Sequence, residues 1–230
     1  MSSLMELVLP HACIGCDADG SPWCSGCIEV EFDPVLHRPD PCPLGMPTAA
    51  AAASYAGSVR SAVLAAKERD RRELDRPLGV MLAGAIALLG ASEPWGCDLR
   101  GPLWLVPVPA RPATRRERGR DHVSDWTEVA ARWLRAAGVQ AYRVPVLRRQ
   151  PGGLDSVGLA ADQRAANLDG AFSAGRVGRL APGARLVVVD DIVTTGATLA
   201  AAGGCLLDAV DLERAQLGAA VVAATQRRRG

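Results

Sequence analysis

Hydrophobic positions along this chain recur at two different spacings, and the two alternate. Apolar residues three and four apart over 58–68, 73–89, 123–137, 160–167 and 199–210 predict helices, with Pro77 in the first turns of the second. Short apolar runs over 103–108, 143–147, 171–173, 185–189 and 216–223 predict strands. Strand followed by helix, repeated, predicts an α/β fold, a parallel sheet flanked by helices. No internal repeat is visible. Ligands of such sheets sit beyond the C-terminal ends of the strands, which puts the segments after Val108 and Val189 in view.

The pattern is different before residue 48. Residues 33–47 carry Pro34, Pro39, Pro41, Pro43 and Pro47, the composition of a stiff connector. Upstream, Cys13 and Cys16 form one pair and Cys24 and Cys27 a second, each separated by two residues that include a glycine. That spacing lets two thiolates grip one ion, and four sulfurs suit tetrahedral zinc. A closed shell of this kind is structural, and in so small a module metal binding supplies much of the folding energy. Cys42 opens a third such run that lacks its second cysteine, and Cys97 and Cys205 read as ordinary thiols. We therefore expect a cysteine-rich zinc module with its proline-rich linker over 1–48 and the main domain over 49–230.

Composition narrows the classes. The 230 residues are 49% hydrophobic but only 4% aromatic, so the core is aliphatic. A formal net charge of +1 gives no global field for nucleic acid, so any such attraction must be local. Glu6 and His11 interrupt the apolar N-terminal residues, and the apolar run 80–91 is short of the ~20 residues that span a bilayer. The expectation is a cytoplasmic protein without membrane insertion, in which clustered cysteines mean metal rather than disulfides. Lys67 is the one lysine in a chain rich in arginine.

The most specific chemistry follows the strand at 185–189. Asp190 and Asp191 come first; then Val193, Thr194, Thr195, Gly196, Ala197 and Thr198 lead into a helix. Backbone N–H groups at a helix start lack partners and attract anions, hydroxyls add donors, and glycine lets the backbone come close. This is a phosphate cradle with two carboxylates at its mouth. The strand 103–108 ends in Pro107-Val108-Pro109 and leads into Arg111, Arg115, Arg116, Arg118 and Arg120. Arginine keeps its charge and forks onto phosphate oxygens, although an arginine run is also what a solvated basic loop looks like.

The run from Val187 to Thr198 resembles the phosphoribosyl pyrophosphate signature of type I phosphoribosyltransferases. The resemblance implies that Asp190 and Asp191 contact the ribose hydroxyls, that Val193 to Thr198 hold the 5′-phosphate, and that Pro109, Arg111 and Arg118 hold pyrophosphate. Over nearly the whole length the chain is similar to the ComF family, a zinc module joined to a phosphoribosyltransferase domain. It shares the Pro107-Val108-Pro109 strand end, Arg118-Gly119, and Arg164, Asn167, Gly170, Ala171 and Phe172 at the family's spacing. It departs in having Asp121-His122 where Asn-Gln is usual, and in the incomplete run at Cys42. The family tends to have a lysine near Lys67, which either reaches a phosphate or sits on a solvated helix end.

Phosphoribosyl transfer (a transferase, glycosyltransferase-type reaction) is the activity implied, with magnesium bridging pyrophosphate and ribose oxygens. The acceptor stays open between a purine, a pyrimidine and an ammonia-like compound, and His122 is the candidate base by residue type alone. Two other readings stand beside it. One, implied by the ComF resemblance, is single-stranded DNA handling in competence and DNA uptake, with the zinc module and the arginine segment as contact surfaces and the tryptophans as stacking platforms. The other is a sensor that binds phosphoribosyl pyrophosphate without catalysis. A second copy of the chain is a further permitted partner.

Overall fold

The computed structural model describes residues 12–92, 101–150, 170–175, 184–210 and 215–225. A six-stranded sheet forms its middle layer. Strands β2 (Thr48–Ser54), β3 (Leu103–Pro107), β4 (Ala141–Arg143), β7 (Ala184–Val193) and β8 (Ala215–Ala224) run parallel. Strand β1 (Val35–His37), inside the proline-rich segment, joins β2 antiparallel, and the order is β1-β2-β8-β7-β3-β4. Strands β5 (Leu147–Arg149) and β6 (Phe172–Ala174) pair antiparallel as a separate ribbon. The helices are α1 (Ser25–Glu31), α2 (Gly57–Glu68), α3 (Asp75–Ala91), α4 (Pro112–Arg118), α5 (His122–Ala136) and α6 (Ala197–Ala209). The class is α/β, a mostly parallel mixed sheet flanked by helices.

Side chains alternate across a strand, and here the alternation divides the core in two. On β7, Val187 and Val189 join Val59, Leu78, Leu82 and Trp126 of α2, α3 and α5. Leu186 and Val188 join Leu199 and Leu206 of α6, with Leu147 and Phe172 of the β5–β6 ribbon. Two helix directions follow. After β3 the chain runs through α4 and α5 outward to β4; after β7 it runs through α6 the other way, to β8. A crevice opens at the C-terminal ends of two neighbouring strands whose connections diverge like this.

Several elements differ from their expected form. The alanine run 49–53 is a fully buried strand, β2. Alanine has little strand preference, but its short side chain lets Leu78, Met81 and Ile86 of α3 pack close to the sheet. The arginine-rich segment is a helix, α4, begun by Pro112 and ended by Gly119 at φ +70°. The strand expected over 143–147 is two: β4 stays with β3, while β5 turns away to β6. The helix expected over 160–167, with Arg164 and Asn167, lies outside the described residues, as does Cys97. Among the described residues one helical segment, Arg72–Ala91, is long and apolar enough to cross a membrane, with a mean hydropathy of 1.4. Its Leu74, Leu78, Leu82, Ile86 and Leu89 are buried in the core beside the sheet.

Two helical glycines give opposite expectations. A Cβ on Gly79 of α3 would stand 2.5 Å from the Val129 Cβ and 3.0 Å from the Trp126 carbonyl oxygen, so α3 and α5 could not stay as close. Gly79→Ala should destabilise by about 1–3 kcal/mol. Gly204 of α6 has nothing within 4 Å, and Gly204→Ala should stabilise by about 0.5–1 kcal/mol. Chemical denaturation of the two variants measures both; equal effects would contradict this account of α3–α5 packing.

Candidate functional site

A cavity of about 280 Å³ lies in the crevice beyond β3 and β7. Strand alternation decides what its two acids meet. Asp191 continues the Val187/Val189 face, where the last turn of α2 brings Lys67 Nζ onto its carboxylate and the first residue of α5 brings His122 Nε2 to 3.1 Å. Asp190 continues the opposite face. Its Oδ1 accepts the Asp191 backbone N–H at 2.9 Å, and Arg149 is a charge nearby. Burial, then the charge of Asp191, pushes Asp190 up to about 8. Burial also acts to raise Asp191, but His122 and Lys67 outweigh it and hold that carboxyl below its ordinary range. The negative charge of the pair therefore rests on Asp191.

Asp121 fixes the facing wall. It is the N-cap of α5, accepting the Ser124 N–H at 3.3 Å, and its other oxygen accepts the Ala110 N–H at 3.1 Å. The turn after β3 is thus tied to the helix that presents His122. The Pro107↔Val189 register sets Pro109 and Arg111 beside Asp190. The five arginines then separate. Arg111 and Arg118 line the cavity, whereas Arg115 and Arg116 are exposed on α4. Arg120 is turned inward, with Nη2 2.6 Å from both Asp75 oxygens and further ion pairs to Asp70 and Asp125. Asp75 also accepts the Trp126 indole N–H at 2.7 Å, so Arg120 braces the fold.

The loop residues are distributed as well. Thr198 lines the cavity with Asp190 and Asp191. Val193 is a core residue, Thr194 is exposed and Thr195 half-buried. Gly196 caps α6 at φ +77° without a side-chain hydrogen bond, and Met46 and Pro39 of the proline-rich segment press on it. Ala197 faces a different cavity, on the outer side of α6. Lys67 and Pro109 both line the 280 Å³ cavity. Sequence reasoning missed Arg149, which reaches the cavity from β5 with its guanidinium 4.9 Å over the Phe172 ring. Its Nε is buried without a partner among the described residues. Burial and neighbouring Arg111 lower its pKa, against the pull of Asp190.

The second cluster is at the N-terminal end. The sulfurs of Cys13, Cys16, Cys24 and Cys27 all lie within 4.8 Å of one another, with 3.8 Å between Cys16 and Cys24. Tetrahedral zinc with bonds of ~2.3 Å sets its sulfurs about 3.8 Å apart, so the group can hold such an ion. Backbone N–H groups of Cys24 and Gly15 donate to Cys13 Sγ at 3.3 and 3.4 Å. Although burial acts to raise Cys13, these and the Cys16 backbone bring it down to about 6. Cys27 is pushed up to about 12, chiefly by hydrogen bonding with Cys24 and Cys16. Thiols this close resist ionising together, and a cation removes the penalty. The cluster is anchored to the main body: Cys13 and Trp23 belong to the core beside Val59. Glu31 of α1 accepts Ser58 N–H at 2.9 Å and Ser58 Oγ–H at 3.1 Å, capping α2. Cys42 stands outside the cluster and donates to the Pro43 carbonyl.

Metal analysis of the purified protein should find about one zinc per chain, lost in Cys16→Ser along with several degrees of thermal midpoint. Unchanged zinc content in that variant would mean other ligands. The acid pair gives a pH expectation. Folding raises the Asp190 pKa from the ordinary 3.8 to about 8. Its contribution is therefore fully present below the lower value and lost as pH rises through the upper one. The stability of Asp190→Asn relative to the parent should grow from about pH 4 to about pH 8 and then level, as read by denaturation across pH. A constant difference would refute the assignment. No protein-family model and no curated protein matches this chain.

Proposed function

We propose that the chain is a phosphoribosyltransferase-like protein of the ComF type that binds phosphoribosyl pyrophosphate in the cavity beyond β3 and β7. One observation carries this reading. The acid pair, Thr198 from the first turn of α6 and four cationic side chains, Lys67, Arg111, Arg118 and Arg149, come together around one cavity. The start of α6, with Thr198, suits the 5′-phosphate. Asp190 suits a ribose hydroxyl. Arg111 and Arg149, on the side of the cavity away from the second one, suit pyrophosphate, whose growing charge they would stabilise as the bond to ribose C1 breaks. The cavity adjoins a second one, and the volumes of about 280 and 420 Å³ suit a small ligand.

Among the described residues the cavity wall offers magnesium at most the carboxylates of Asp190 and Asp191, fewer oxygens than the about six it wants; cations dominate the rest. The ion would arrive on the pyrophosphate and ribose oxygens of the ligand and screen their charge. Zinc would belong to the cysteine cluster and have a structural role.

A DNA-handling role draws less support. Arg115 and Arg116 are exposed on α4, but bases need stacking platforms. Of the tryptophans described, Trp23 and Trp126 are buried, and Trp133 alone is exposed.

Calorimetry with phosphoribosyl pyrophosphate and magnesium should show binding to the zinc-loaded protein. Arg111→Ala should weaken it by about 10–100-fold, the worth of a charged hydrogen bond, while Arg115→Ala leaves it unchanged. Absence of binding would end this reading. Single-stranded DNA binding that survives Arg111→Ala but fails in Arg115→Ala/Arg116→Ala would favour the other.

A further inference from the structure

The cavity at the acid pair shares a wall with the second one. Lys67, Arg118 and His122 line both, and the second occupies about 420 Å³ between the end of α2 and the end of α4. His122 stands at the junction and is firmly held. Its Nε2 is 3.1 Å from Asp191 Oδ2, and its ring leans on Trp126 with 5.0 Å between centroids. Trp126 is itself fixed to Asp75, and the His122 backbone begins α5 under the Asp121 cap. The other ring nitrogen, Nδ1, has no hydrogen-bond partner among the described residues, and it is not among the sealed polar atoms. Asp191 is ionised, so it takes a proton-bearing Nε2 and leaves the Nδ1 lone pair open. A histidine with one nitrogen on a carboxylate and the other open to a cavity is arranged to take up a proton there.

We propose that His122 is the general base of the transfer, accepting at Nδ1 a proton from a small polar amine seated in the second cavity. This rests on the reading of the first cavity as the site of phosphoribosyl pyrophosphate. The lone pair of the amine forms the bond to ribose C1. The C1–O bond to pyrophosphate breaks, and its electron pair leaves with pyrophosphate. The N–H proton passes to Nδ1, and the imidazolium later returns it to water. No atom changes oxidation state.

The charges around the ring permit this. Asp191 on β7 stabilises the imidazolium, and Lys67 on α2, which shares that carboxylate, moderates the pull. Arg118 on α4 and Arg69 after α2 oppose the cation, while Glu68, Asp70 and Glu117 in the same wall favour it. Arg120 is engaged by Asp75, Asp70 and Asp125. The amine class follows from the same wall. Apart from Ala66 and His122, every side chain lining the second cavity is charged. Such a wall offers carboxylates to an amine and gives a flat base no apolar face to lie on.

The test measures pyrophosphate release from phosphoribosyl pyrophosphate and magnesium, with ammonia, hydroxylamine or glycine as probe and adenine and uracil for comparison, between about pH 6 and 9. The parent should turn over at least one amine better than either base, with a rate that falls on the acid side. His122→Gln keeps an N–H for Asp191 but cannot take the proton. It should bind the donor within about threefold of the parent by calorimetry while kcat falls about 100-fold or more, with the acid limb gone. Turnover within about tenfold of the parent would make His122 a positioning residue and overturn the proposal. So would a parent profile flat in pH, a preference for the bases, or no release from any amine by protein that binds the donor. Failure to bind the donor would instead remove the reading of the first cavity.

Discussion

Two adjacent residues on a β-strand point to opposite faces of the sheet, and the site depends on that constraint. At the end of β7 it sends Asp191 toward the helices α2 and α5 and Asp190 toward the side of α6 and the β5–β6 ribbon. The identical side chains acquire different chemistry. Asp191 meets two donors on one oxygen, Lys67 and His122, and stays charged. Asp190 is left with a backbone N–H and its charged neighbour, and burial favours its neutral form. One carboxylate becomes a bracket that fixes two helices to the sheet, and the other stays available to the cavity.

The elements that converge there are held by second attachments. The cysteine module reaches α2 through Glu31 and Ser58, at the end of that helix opposite Lys67. The proline-rich segment lies on Gly196 through Pro39 and Met46. Arg120, Asp75 and Trp126 bind α3 to the start of α5, just before His122. Each attachment is polar or close-packed and comes from residues distant in sequence. The cavity is therefore the meeting point of separately braced pieces rather than of one loop.

How much of this the sequence carried follows from the range of the interactions involved. The strand 185–189, its acids and the helix after them were legible because local rules govern them: β-branched residues, a glycine that can turn, a helix start. The cysteine pairs were legible because two-residue spacing is itself the ligand geometry. Long-range effects were not. Nothing local marks 49–53 as a strand, since its alanines are there to let α3 approach. The split of 143–147 is decided by which partner each half finds, β3 or β6. Arg149 enters the site only because β5 turns away, so no spacing could point to it. The arginine segment shows a limit of a different kind. Its composition resembled a solvated loop, and its helix became visible only as Pro112 at one end and Gly119 at the other.

The charge balance explains why one acid is neutral. Lys67, Arg111, Arg118 and Arg149 surround the cavity, and Asp191 is the carboxylate there that stays ionised. Two ionised carboxylates on adjacent residues would repel each other, and both would repel a phosphorylated ligand. Keeping the proton on Asp190 relieves both repulsions and leaves a hydroxyl donor facing the cavity. Arg149, whose Nε has no hydrogen-bond partner among the described residues and which is pressed by Arg111, is in the opposite condition: it is short of negative charge. A site that is neutral where it could be anionic, and cationic where its cations repel one another, gains stability when an anion binds. That imbalance is the physical reason to expect a phosphate-bearing ligand here, independent of any likeness between signatures.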